Sequence, residues 1–141
     1  MIARQVVVGT DGRAKAYRPL PADARVAAVV AGLEAYAAGD YFEAHELMEP
    51  AWMGTDDLAE RALIQGLIKV AAADVHAVRG NPKGVRRNLE GARDRLQSGS
   101  AGSITGVELD VVGLLASIDA RLAALDGAGT DRPLAIDWRR R

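Results

Sequence analysis

The chain has 141 residues, 49% apolar and 26% charged, which is the composition of a globular domain rather than of a disordered chain. Its 18 basic and 19 acidic side chains nearly cancel, so no overall field attracts it to nucleic acid or to an anionic membrane. Cysteine is absent, which excludes disulfides and thiolate metal sites and suits the cytoplasm. No apolar run approaches the roughly 18 residues that a membrane span requires. We therefore expect a soluble cytoplasmic domain with no nucleic-acid or membrane partner.

The first 20 residues differ in pattern from the rest of the chain. A β-branched run, Gln5 to Val8, is followed by turn residues from Gly9 to Gly12 and by a second short segment from Ala14 to Tyr17. An Asp-Gly turn signal between two such segments is typical of a β-hairpin. Isolated hairpins are marginally stable, so a disordered arm over residues 1–20 is an equal alternative.

From Asp23 onward the apolar residues recur at the three- and four-residue spacing of amphipathic helices. The pattern predicts five helices with short connections, and hence an all-α antiparallel bundle over residues 21–126. The tail, residues 127–141, is expected to be mobile or docked by Trp138 alone. Gly39 and Gly80 are predicted to end the first and third helices. Polar residues are predicted to cap the starts of the second to fifth helices, in order: Asp40 with Glu43, Asp57 with Glu60, Asn81 before Pro82, and Thr105 with Glu108.

One face of the second helix mixes aromatic and ionisable residues. Phe42, His45, Glu46, Glu49 and Trp52 share the spacing that normally marks a buried face. The two aromatic residues are expected in the core. Burying the three ionisable residues between them costs several kcal/mol unless they are paired, so we expect partners or water on this face.

The third helix offers such partners. If the two helices form a tight hairpin, Glu49 faces Arg61 in an ion pair and His45 faces Gln65 in a hydrogen bond. Loss of either Glu49 or Arg61 would then cost on the order of 3 kcal/mol. His76 lies roughly 16 Å along the axis from the level of His45, so we expect no metal ion bound by both histidines.

These residues also carry a resemblance to a known family. The matching positions, in order, are Tyr41-Phe42-Glu43-Ala44-His45-Glu46, Glu49, Trp52, Arg61, Gln65-Gly66-Leu67-Ile68, Ala71-Ala72, His76 and Gly80-Asn81. On them the chain, from about Ala35 to Leu96, resembles the bacterial and archaeal proteins called domain of unknown function 309. The resemblance implies an all-helical bundle and implies no particular activity. Pro50 departs from the helix-forming residues usual before the tryptophan, and predicts a kink or restart there.

We call the polar residues between the second and third helices the polar seam. Three interpretations of this polar seam remain open: a buried network that fixes helix register, a metal site, and a small-molecule or catalytic pocket. The His45-Glu46 pair with Glu49 resembles a His-Glu-x-x-His zinc helix, but Glu49 replaces the second histidine. Because a catalytic zinc needs three protein ligands, we predict no metal site and favour the buried network. No phosphate loop or nucleophile set stands out, so the cofactor and the catalytic residues stay unassigned.

The predicted function is a binding or interaction module with a small molecule as candidate ligand. The alternative is a hydrolase-like enzyme in which Glu46 or Glu49 is the general base and His45 shuttles the proton, with or without a metal. The candidate site comprises the residues of the seam: His45, Glu46, Glu49, Trp52, Arg61, Gln65 and His76.

Two further surfaces bear on partners. The fourth helix is basic but interrupted by acids and lacks interleaved aromatics, which predicts a solvated face rather than a nucleic-acid groove; its charged residues are Lys83, Arg86, Arg87, Glu90, Arg93, Asp94 and Arg95.

The apolar stripes of the first and last helices look too wide to be covered internally, and uncovered apolar faces are usually interfaces. We therefore predict a homodimer through one of these stripes, which are Val26, Val29, Val30 and Leu33, and Val111, Leu114, Leu115, Ile118, Leu122 and Leu125.

Overall fold

The prediction of an all-α bundle with five helices is confirmed. A computed structural model describes residues 6–8, 14–127 and 132–141, and the helices in it are α1 (Ala22–Ala37), α2 (Tyr41–Met53), α3 (Leu58–Val78), α4 (Pro82–Gly99) and α5 (Val111–Asp126). Four three-residue strands accompany them: β1 (Val6–Val8), β2 (Ala14–Ala16), β3 (Val107–Leu109) and β4 (Trp138–Arg140).

Most helix boundaries follow the capping chemistry of the sequence. Gly39 and Gly80 adopt φ of +86° and +69°, a left-handed conformation that glycine allows at a helix end. Asp57 accepts the Glu60 N–H and Asn81 accepts the Gly84 N–H, as predicted. The prediction that Asp40 and Glu43 form a capping box is wrong, because the Asp40 side chain makes no capping hydrogen bond.

The last helix begins later than predicted. Thr105 is not its cap, because the Thr105 N–H donates instead to the Glu60 carboxylate across the fold, at 2.6 Å. The chain then runs through β3, and Asp110 caps α5 by accepting the Gly113 N–H. A long-range hydrogen bond to a charged acceptor has therefore replaced a local cap.

The C-terminal tail is not held by Trp138 alone. Strand β4 pairs antiparallel with β3, and Leu109 lies opposite Trp138. Leu134 and Ile136 also pack against the core, and the Leu134 N–H donates to the Tyr36 hydroxyl at 2.9 Å. Backbone pairing and apolar contacts thus fix the tail across the bundle.

The N-terminal strands form the antiparallel pair that the sequence indicated. Val6 lies opposite Ala16, and Val8 lies opposite Ala14. The predicted turn from Gly9 to Gly12 lies outside the described residues. The backbone of the next segment is tied to the end of α2, because Arg18 N–H donates to Met53 O at 3.1 Å.

The core lies around α3, which packs against both α2 and α4, while α1 lies on α2 and α5 lies on α4. The apolar stripes of α1 and α5 are largely covered inside the chain: Val29 and Ile118 are 0% exposed, and Val111, Leu115 and Leu125 pack against the core. The argument for a homodimer through these stripes is therefore lost. Among the described helices, none is both long and apolar enough to cross a membrane.

Candidate functional site

The candidate site is a shallow concavity on α2 near its C-terminal end. One side is helical, with Glu46 and Glu49 one turn apart, and the other is the segment 18–20. This segment is held to the helix end by backbone bonds, including Leu20 N–H to Gly54 O at 3.0 Å. A Cβ on Gly54 would lie 2.4 Å from the Leu20 Cβ, so glycine permits the close approach. The concavity has a volume of about 380 Å³.

Helix α2 continues without a break through Pro50. Proline has no N–H, so the carbonyl of Glu46 lacks the usual donor four residues later. Of the two predicted alternatives at Pro50, a kink or a restart, the restart is wrong because the helix is continuous from Tyr41 to Met53.

Three ionisable side chains of α2 converge beside this concavity. The ligand atoms of His45, Glu46 and Glu49 all lie within 4.8 Å of one another. His45 Nδ1 is 3.2 Å from Glu46 Oε1, with the two side chains 33% and 55% exposed. The cluster is consequently open to solvent rather than buried in a helix seam. The interpretation of these residues as a sealed structural network is wrong for His45 and Glu46.

This donor set fits a divalent transition metal. Zinc takes histidine nitrogen and carboxylate oxygen at about 2.0–2.2 Å, so ligands of one ion lie about 3–4 Å apart. The ligand atoms of His45, Glu46 and Glu49 lie within 4.8 Å of one another, which is close to that spacing. The sequence argument counted only two ligands because it omitted Glu46, which directly follows His45 on the helix.

The pairings predicted with α3 are not formed. Among the ion pairs of the described residues there is none between Glu49 and Arg61, and His45 contacts Glu46 rather than Gln65. Gln65 is buried, 4% exposed, and its Nε2 has no acceptor among the described groups. The prediction failed in the direction of the side chains: Glu46 and Glu49 of α2 face segment 18–20 and not α3.

The remaining predicted site residues divide between core and surface. Trp52 is buried at 4% exposure, as predicted, whereas Phe42 is 63% exposed and the prediction that it belongs to the core is wrong. His76 lies in the last turn of α3, where its Nδ1 is 3.1 Å from the Asn81 side-chain nitrogen. It does not join the cluster formed by His45.

The sequence analysis missed a buried charged network that joins α1, α3 and α5. Arg121 donates two hydrogen bonds to Asp74, at 2.7 and 3.1 Å, and the Tyr36 hydroxyl donates to the same carboxylate. All three residues are at most 4% exposed. Burial raises the pKa of the Tyr36 hydroxyl, and the Asp74 charge raises it further, so Tyr36 stays a donor.

One comparison with known proteins gives a match, and it lies over part of this helical core. Residues 29–88 match the family model described as Domain of unknown function (DUF309). The match confirms the resemblance predicted from the sequence, and it includes the whole of α2 and α3 with the His45, Glu46 and Glu49 cluster. No curated protein and no solved structure matches the chain.

Proposed function

We propose that this protein is a helical binding module whose ligand is a divalent transition-metal ion, held by His45, Glu46 and Glu49. The observation that carries the proposal is the convergence of three ligand atoms within 4.8 Å on one turn of α2. The ligand chemistry supports zinc, which accepts one nitrogen and two carboxylate oxygens. Three protein ligands leave a fourth position for water or for a small molecule in the adjoining concavity.

Purified protein stripped with chelator should bind one zinc ion per chain in a calorimetric titration. His45→Ala and Glu49→Gln should each weaken binding by about tenfold or more, because each removes one of three ligands. His76→Ala and Glu43→Gln are matched controls that change a histidine and an acid outside the cluster, and they should bind zinc like the wild type. Equal loss in the controls, or no binding by the wild type, would refute the proposal.

A hydrolase-like enzyme is the second candidate, and the solvent-open concavity beside Glu46 and Glu49 supports it. A carboxylate at the edge of a water-filled concavity can serve as a general base. Glu46 can act as a base only if it is not a metal ligand, so the two functions compete for this residue. Glu46→Gln should abolish hydrolysis of an activated ester while zinc affinity is kept if the enzyme interpretation holds, and should weaken zinc binding if Glu46 is a ligand.

The predicted homodimer is retained as a proposal on another surface. Phe42 and Val78 are 63% and 76% exposed and border a concavity of about 450 Å³ between the start of α2 and the end of α3. Large exposed apolar side chains grouped in this way favour an interface. Phe42→Glu should convert a sedimenting dimer into a folded monomer, while Val112→Glu, at an exposed site on α5, should not. A wild-type chain that sediments as a monomer at every concentration would exclude the dimer.

A further inference from the structure

A large concavity lies away from the α2 cluster, between α3, α4 and α5. It has a volume of about 750 Å³ and shares no lining residue with the concavity at Glu46 and Glu49. That volume is within the range of about 300–1,000 Å³ typical of small-molecule sites. Five cations line it against two carboxylates.

The cations come from two helices, which the sequence pattern of α4 alone could not show. Lys69 reaches the cleft from α3, and Arg87 and Arg95 reach it from α4, two turns apart. Within the described chain, Arg86 is paired with Asp126, whereas Lys69, Arg87 and Arg95 form no ion pair. Cations therefore outnumber carboxylates in the cleft, and three of the cations are outside any ion pair of the described residues.

The position of the Lys69 ammonium is set by packing against α4. A Cβ on Gly91 would lie 2.9 Å from Lys69 Nζ and 3.0 Å from its Cδ, so the side chain lies directly across the glycine. Glycine at this position thus makes room for the lysine stem and keeps its charge in the cleft instead of extended into water. The contact between the Lys69 side chain of α3 and the Gly91 backbone of α4 therefore shapes this part of the cleft.

The charges that line the cleft favour an anionic ligand. Burial lowers the pKa of Lys69, and repulsion from Arg95 and Arg87 lowers it further, while Asp94 acts in the opposite direction. A bound phosphate would compensate all three cations and favour protonated Lys69. Affinity for an anion should accordingly fall as the pH rises through the alkaline range, because Lys69 loses its proton there more easily than an ordinary lysine.

From this geometry we propose that the cleft between α3, α4 and α5 binds a small phosphorylated sugar or polyol, with its phosphate on Lys69, Arg87 and Arg95. Arginine and lysine are the side chains that recognise phosphate oxygens. Glu90 and Asp94 line the same cleft and can accept hydrogen bonds from hydroxyl groups of the ligand. No aromatic side chain lines it, which disfavours a stacked nucleobase.

The test is a calorimetric comparison of ribose 5-phosphate, inorganic phosphate and ribose on the full chain. Ribose 5-phosphate should bind most tightly, and ribose should not bind measurably. Lys69→Met and Arg87→Gln should weaken binding of ribose 5-phosphate by about tenfold each, since each removes a charged phosphate contact. Arg79→Gln, which removes an arginine charge at the end of α3 outside the cleft, should change it less than about twofold.

Gly91→Ala separates a shaped site from general electrostatic attraction, because it changes no charge. Its Cβ displaces the Lys69 side chain, so ribose 5-phosphate should bind at least about threefold more weakly although the protein remains folded. Wild-type affinity in Gly91→Ala, or equal weakening in Arg79→Gln, would overturn the proposal. So would equal binding of inorganic phosphate and ribose 5-phosphate, or an RNA hairpin that binds more tightly than ribose 5-phosphate and is unaffected by Gly91→Ala.

Discussion

Arg121→Met should lower the free energy of unfolding by about 3–5 kcal/mol, which for a chain of this size means a melting temperature lower by roughly 10 °C or more. The Asp74 carboxylate is 1% exposed and receives two hydrogen bonds from Arg121. Methionine fills a similar volume but leaves this carboxylate buried without its cation, which is the costly situation for a buried charge. Urea unfolding monitored by circular dichroism measures the change.

Two further variants make this result specific to burial. Arg93→Met removes the cation of the exposed Arg93–Asp119 pair and should cost no more than about 1 kcal/mol. The double variant Asp74→Leu with Arg121→Met removes both charges and should be more stable than Arg121→Met alone, because an apolar replacement leaves no buried charge. If Arg121→Met melts within a degree of the wild type, or if the double variant is the less stable of the two, the buried pair does not hold α3 to α5.

The Asp74–Arg121 pair also shows which signals in the sequence were overlooked. Asp74 follows Val70 by four residues on the apolar face of α3, and Arg121 follows Ile118 by three residues on the apolar face of α5. One acid in one apolar stripe and one base in another indicate a buried pair. The sequence analysis recorded the stripe of the last helix and passed over Arg121 within it, and it did not examine the apolar face of α3.

Local chemistry was predictable where the competing interactions were also local. The helix ends at Gly39 and Gly80 and the caps at Asp57 and Asn81 follow from residues within one turn. Thr105 failed as a cap because its amide bonds to a carboxylate 45 residues earlier in the chain. Such contacts depend on how elements pack, which helical periodicity does not encode.

The candidate site also combines residues that the sequence could predict with a wall that depends on packing. His45, Glu46 and Glu49 could be found from their positions on one helix, and they do converge. The wall that turns the Glu46 and Glu49 face into a concavity is the segment 18–20, which has no regular pattern of its own. The basic cleft likewise needs Lys69 beside α4, a neighbourhood that only the packing of α3 against α4 creates.

Glu60→Gln should lower the free energy of unfolding by about 2 kcal/mol at neutral pH. Glu60 is 3% exposed; its carboxylate accepts the Thr105 N–H and lies 3.2 Å from Arg25 Nε. The contact with Arg25 is an ion pair without hydrogen-bond alignment, since neither atom has a bonded partner. Glutamine keeps the shape but has one acceptor oxygen and no charge. Glu34→Gln, at an exposed position of α1, is the matched control and should stay within about 0.5 kcal/mol of the wild type.

The pH dependence of this difference identifies its origin. Burial alone would raise the pKa of Glu60, but the hydrogen bonds from Thr105 and Thr55, together with the Arg25 charge, hold it below the ordinary value of 4.5. A carboxyl whose pKa is lower in the folded state contributes its full stability above pH 4.5, and this contribution is lost as the pH falls through the folded value. The difference between wild type and Glu60→Gln should accordingly be constant near neutral pH and shrink once the pH falls below the ordinary value of 4.5. A difference that grew on acidification would mean that the Glu60 carboxyl is held protonated in the fold, and that the cluster of Arg25, Glu60 and Thr105 does not anchor the entry to β3 by charge.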